Sequence, residues 1–142
     1  MTIIINGTGI IAGLTAVSEV ATTSATASTG TINCDVTSQS VLYYTTAATG
    51  NFTLNFRASS TATLDSLMAT GTCISATFMC TNTGTAYYAS AITIDGASVT
   101  PKWQGGAAPA SGNANATDVY TFAIIKTGSS AYTVLASQTL FA

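Results

Sequence analysis

Histidine is missing from this sequence and charge is scarce. Of 142 residues only Arg57, Lys102 and Lys126 are basic and only Glu19, Asp35, Asp65, Asp95 and Asp118 are acidic. That is 6% charged, against about 25% in an ordinary soluble domain. Without clustered Lys and Arg there is no basic face to neutralise phosphates, so nucleic acid is not an expected partner. Without His there is no ready base near neutral pH for a serine or cysteine nucleophile. Three cysteines, no His and no Cys-x-x-Cys pair give no metal site, and no cofactor motif is present. Long apolar runs are missing too. The mean hydropathy of +0.44 comes largely from alanine and small β-formers, and no stretch approaches the ~18–20 apolar residues of a spanning helix. The opening Met1-Thr2-Ile3-Ile4-Ile5 lacks a basic segment followed by a long apolar one, so no membrane is expected and the chain is expected to fold where it is made.

What is abundant is small and neutral: 28 Thr, 24 Ala and 15 Ser fill 67 of the 142 positions. Eleven Phe and Tyr residues and one Trp are still enough to build a core, which separates this composition from that of a disordered chain. The length suits one domain.

Period-two alternation is clearest at Asn51–Arg57, where Phe52, Leu54 and Phe56 share one face and Asn51, Thr53, Asn55 and Arg57 the other. Strand patterns also cover 41–44, 72–80, 86–94 and 97–99. Asp95-Gly96 between two such runs predicts a type I′ hairpin, and Thr127-Gly128-Ser129-Ser130 predicts a second, joining 118–126 to 131–141. Only 63–71 reads as helix, with Thr63 as cap and Gly71 as stop. The fold expected is therefore all-β, an antiparallel β-sandwich or jelly-roll-like domain over 32–142 with one short helix. Residues 1–31 read as an extended N-terminal arm or linker. Its Ile3, Ile4, Ile5, Ile10 and Ile11 exceed what a free tail tolerates, which marks them as assembly contacts.

Cys73 and Cys80 lie seven apart on one predicted strand, on opposite faces and ~23 Å from each other. Buried free thiols are expected, with a Cys34 bridge to one of the two as the alternative. Asp65, Asp95 and Asp118 could serve a glycosidase only if two of them converged within ~5–10 Å. Each has a local role instead, in the helix, in the turn and at a strand start, so no enzyme is expected. Lys102 and Lys126 have no charged sequence neighbours and read as solvated or interface lysines. The loop 101–115 carries both prolines and three glycines, and in it Lys102-Trp103-Gln104-Gly105-Gly106 is the best candidate contact. Trp103 either stacks on a sugar ring, with Lys102 and Gln104 beside it, or plugs the end of the domain. Tyr43-Tyr44 and Tyr87-Tyr88 each direct one ring inward and one outward. Three Asn-x-Ser/Thr triplets are what composition alone supplies, and they carry no evidence of secretion. The shortage of charge itself points to assembly, because the cores of protein interfaces are depleted in charged residues.

Several strings carry a resemblance: Tyr43-Tyr44-Thr45-Thr46-Ala47, Asn51-Phe52-Thr53-Leu54-Asn55-Phe56-Arg57, Val99-Thr100-Pro101-Lys102-Trp103-Gln104-Gly105-Gly106, Asp118-Val119-Tyr120-Thr121-Phe122 and Val134-Leu135-Ala136-Ser137-Gln138-Thr139. Over about 31–142 the chain resembles a β-rich module in virion structural proteins of tailed bacteriophages, notably those of marine cyanobacteria. The resemblance implies a virion component, assembled in the host cytoplasm and displayed on the particle as a capsid decoration or tail-fibre part. It implies no catalytic residue. Its expected partners are other virion proteins and further copies of this chain, with a trimer favoured. The alternative reading is a host-surface glycan-binding or adhesion module.

Overall fold

A computed structural model describes residues 18–142, so Ile3, Ile4, Ile5, Ile10 and Ile11 lie outside the described residues. The described chain is all-β, in two layers. The strands are β1 (Ala21–Ala27), β2 (Gly30–Asp35), β3 (Val41–Thr46), β4 (Phe52–Arg57), β5 (Cys73–Thr81), β6 (Ala89–Ile94), β7 (Ala97–Val99), β8 (Lys102–Trp103), β9 (Thr117–Gly128) and β10 (Ala131–Phe141). One sheet has six strands in the order β1-β3-β5-β9-β10-β8, and the other has four in the order β2-β4-β6-β7.

From β1 to β6 the chain visits the two sheets alternately, so every circuit adds one strand to each. Strands laid down this way run the same direction: β1, β3 and β5 pair parallel, as do β2, β4 and β6. The Asp95-Gly96 hairpin then reverses the chain into β7, and β9 and β10 close the six-stranded sheet with antiparallel pairs. The sheets are therefore mixed, where the sequence reading expected antiparallel strands throughout. Residues 21–31, expected as arm or linker, are built into both sheets as β1 and the start of β2.

Short repeats make the corners between the layers. Ser28-Thr29-Gly30, Ala48-Thr49-Gly50 and Asn82-Thr83-Gly84 each bury their first residue. The corners stack through the backbone, with Thr49 N–H donating to Ser28 O at 3.1 Å and Ala48 N–H to Thr81 O at 2.9 Å. At the middle corner the contact is tight: a Cβ on Gly50 would lie 2.9 Å from the Thr29 hydroxyl.

Between the layers lies one apolar core. Phe52, Leu54 and Phe56 are 1, 0 and 1% exposed, as the alternation of 51–57 requires. Aromatic edges join the sheets: Phe52 meets Phe78 at 5.3 Å and Phe56 meets Phe122 at 4.8 Å between ring centroids. Tyr44 turns inward against Phe78, and its neighbour Tyr43 turns outward. Tyr120 is fully buried, and its hydroxyl accepts the Ala89 N–H at 3.2 Å.

The helix α1 (Leu64–Leu67) is a single turn, shorter than the 63–71 pattern suggests. Thr63 caps it as expected, its hydroxyl accepting the Ser66 N–H. A second cap comes from across the fold: the Asp95 carboxylate accepts Leu64 N–H at 2.6 Å and Asp65 N–H at 3.0 Å. The Asp95-Gly96 turn, with φ of 52° and 81°, thus fixes both a hairpin and the start of the helix. No helix among the described residues is long and apolar enough to cross a membrane.

Candidate functional site

The Lys102-Trp103 pair forms β8, a two-residue edge strand held parallel to β10 by the Leu135–Lys102 and Ala136–Trp103 register. Trp103 shares the inward face with Ala136 and packs edge-on to Phe122 at 6.3 Å. It is half-buried, packed against the core on one side, and it also borders the two depressions at this edge. Lys102 points outward beside Leu135, and Gln104 is exposed at the start of a 3-10 turn. Gly105 and Gly106 carry φ of 80° and 85°, a conformation that side chains with a Cβ disfavour, which accounts for the glycine pair.

Outside β8 the six-stranded sheet presents a shallow groove of about 640 Å³. Ser75, Thr77, Thr121, Ala123, Leu135 and Ser137 line it, with Lys102 and Gln104 on its rim. In its floor the Thr121 and Ser137 hydroxyls are 2.5 Å apart and bond each other. On the other side of Trp103 a smaller hollow of about 190 Å³ lies among Ala89–Ile92, Val99–Pro101 and Pro109. The structure thus gathers all three candidate contact residues at one edge, with Lys102 and Gln104 exposed and Trp103 half-buried.

The other charged groups are occupied elsewhere. Asp35 and Arg57 pair on the outer face of the four-stranded sheet, Nε to Oδ1 at 2.5 Å, and the carboxylate's hydrogen bond raises the Arg57 pKa. Lys126, read from sequence as solvated or interfacial, is instead buried. Its Nζ donates to the Met68 carbonyl at 2.9 Å and meets Asp65 Oδ1 at 2.8 Å, so it closes the C-terminal end of α1. Lys126 and the Ser130 N–H together hold the Asp65 carboxyl below the usual carboxylate range. Asp118 is fully buried and accepts from Asn82 Nδ2 at 3.0 Å, from the Asn113 N–H at 2.9 Å and from the Asn113 side-chain amide. This latch ties the loop after β8 to the corner at Asn82, and the sequence reading missed it. The signal available was an Asn and an Asp five residues apart, with the Asn directly after Gly112.

The cysteines are all free, which fits the thiol expectation and not the disulfide alternative. Cys34 and Cys80 are buried; Cys73, expected to be buried like them, is exposed on the outer face of β5. Burial pushes the Cys34 thiol up to about 12 and raises that of Cys80, so neither is a thiolate at neutral pH. Among the described residues no group of three His, Cys, Asp or Glu gathers as a metal site would require. No family model, curated protein or solved structure matches the chain.

Proposed function

We propose that this chain is a structural protein of a tailed-bacteriophage virion, displayed on the particle surface as a capsid decoration or fibre component and working as a homo-oligomer, with a trimer favoured. The observation that carries the assembly part is the outer face of the six-stranded sheet. Among the described residues no charged side chain stands within it: Lys102 lies at its β8 edge, and Glu19, just before its β1 edge, accepts from Ser40 Oγ at 2.9 Å. A free domain of this size keeps its faces charged for solubility, whereas an assembled one does not need to. The resemblance of 31–142 supplies the kind of assembly. We read the fold in the same terms, as a two-layer sandwich whose opening circuits are coil-like and whose closing hairpin is antiparallel. Catalysis is no part of this reading. The carboxylates of Asp65, Asp95 and Asp118 each accept hydrogen bonds within the fold, and the two buried thiols are protonated.

The test is co-purification. An antibody against the folded domain should label intact particles, and the chain should band with them through a density gradient at many copies per particle. A chain found only in the soluble fraction of infected cells overturns the reading.

One observation favours a glycan-binding role as a second reading: the hydroxyl-lined groove with Lys102 and Gln104 on its rim. Both side chains are exposed, so Lys102→Gln and Gln104→Ala probe binding without disturbing the core. Loss of cell-surface binding in these variants, with incorporation into particles unchanged, would establish recognition as a separate task of the domain.

A further inference from the structure

We propose that the outer face of the six-stranded sheet is the surface on which copies of this chain pack against one another, the same face of each copy turned toward its neighbours. The inference rests on the assembly reading above but not on the virion. It concerns which surface is used and what covers it.

The strand register builds the face in rows. Thr77, Thr121 and Ser137 stand side by side across β5, β9 and β10, and Ser75, Ala123 and Leu135 form the next row, ending at Lys102. These are small side chains of similar height, the kind that interdigitate when two sheet faces close to about 10 Å. Leu135 stands above them, 45% exposed.

Three features of the face select the partner. It has no charge away from its edge, so a partner that relies on counter-charge, such as nucleic acid or an acidic or basic peptide, gains nothing from it. It presents a single basic residue, at its edge, where a surface built to bind lipid carries several. A second identical face meets it without unpaired charge and brings hydroxyls of its own. Thr121 and Ser137 bond each other at 2.5 Å, which uses one of their two O–H donors; the other, with those of Ser75 and Thr77, finds acceptors among the Thr and Ser hydroxyls of a facing copy, which offsets the usual cost of closing such a surface.

Size agrees with this occupant. Six strands spaced ~4.8 Å apart, the central three about ten residues long at ~3.3 Å each, give a face on the order of 600–800 Å². Stable protein contacts bury about 800 Å² per partner. The other face is different in kind. On the four-stranded sheet, Asn33, Asn55 and Thr93 form a hydrogen-bonded polar row beside the Asp35–Arg57 pair, a pattern suited to water.

Sedimentation of the purified chain tests the proposal, with Thr121→Glu placed at the centre of the face and Ser98→Glu on exposed β7 of the other sheet as control. At about 100 µM, above the micromolar dissociation constants of weak standard-sized interfaces, the unaltered chain should sediment as a multiple of 14.3 kDa. Ser98→Glu should match it, and Thr121→Glu should sediment as one chain, with association weakened at least ~100-fold by a buried unpaired charge. Circular dichroism and the melting temperature confirm folding. Should Thr121→Glu not fold, Leu135→Glu puts the charge on the same face at a side chain already half in solvent. A monomeric unaltered chain, or folded Glu variants that assemble as before, overturns the proposal. Because the chain is isolated, absence of the protein from particles would leave this result standing, and a monomer would remove the homo-oligomer while leaving the virion placement to the particle test.

Discussion

Gly112 shows how little room the loop after β8 has. A Cβ there would lie 2.2 Å from the Tyr87 carbonyl oxygen and 2.9 Å from Asn82 Nδ2, both members of the network around Asp118. Gly84 has nothing within 4 Å of such an atom. Gly112→Ala should therefore cost about 2–3 kcal/mol, by forcing backbone apart and opening a buried polar network, while Gly84→Ala should stay within about 0.5 kcal/mol; chemical denaturation of the two variants measures the contrast. Asp65 offers a pH-dependent counterpart. Its folded pKa is lowered, chiefly by Lys126, so the stability it contributes is complete above the unfolded value of about 3.9. That stability is lost as pH falls through the lower folded value. Melting temperatures from pH 6 down to about pH 2, the acid end of the carboxylate range, should fall less steeply for Asp65→Asn than for the unaltered chain. Thiol labelling is a third residue-level check. In the native protein one cysteine, Cys73, should react quickly, and Cys34 and Cys80 only after unfolding. Three fast thiols would contradict the packing around β2 and β5.

Elements divide by whether their cause is local. Asp95-Gly96 needs two positive φ angles, the 51–57 run alternates without a break, and Thr63 stands before an apolar pair; each can be read from neighbouring residues, and each is where the sequence puts it. Strand direction has no such local cause. Phe52, Leu54 and Phe56 face the core equally well beside a parallel or an antiparallel neighbour, so the alternating path from β1 to β6 stays hidden. The x-Thr-Gly corners are its trace in the sequence, but in a chain nearly half Thr, Ala and Ser a three-residue repeat does not stand out. The same composition made β1, Ala-Thr-Thr-Ser-Ala-Thr-Ala, resemble a linker, although it pairs with β3 from Ala21↔Val41 onward. That Lys102, Trp103 and Gln104 sit together follows from their adjacency in sequence, whereas the groove beside them is made by rows from three distant strands. Two measurements address this scale. Leu54→Ala, at a side chain with no exposure, should cost about 2–5 kcal/mol. A chain beginning at residue 29 lacks β1 and should melt well below the full chain, since β3 loses the neighbour that covers its edge; equal melting temperatures would show that β1 adds nothing to the sheet.

Across the whole molecule the few charges are distributed unequally. Lys126 and Asp65 lock the ends of α1 and β9, Asp95 caps the same helix, Asp118 is buried, and Asp35 and Arg57 occupy the four-stranded face. That leaves the six-stranded face with Lys102 at its β8 edge and Glu19 just before its β1 edge, which is why scarcity of charge here is read as an assembled surface and not as a uniform property of the composition. In the proposed assembly the polar face turns to solvent and the neutral face to neighbouring copies. The most direct test is a cryo-electron-microscopy map of the intact particle, into which the two-layer domain can be placed. The account predicts clustered copies on the particle exterior, six-stranded faces turned toward one another and the Asp35–Arg57 face outward. Isolated copies with the six-stranded face open to solvent, or particles without the domain, would contradict it.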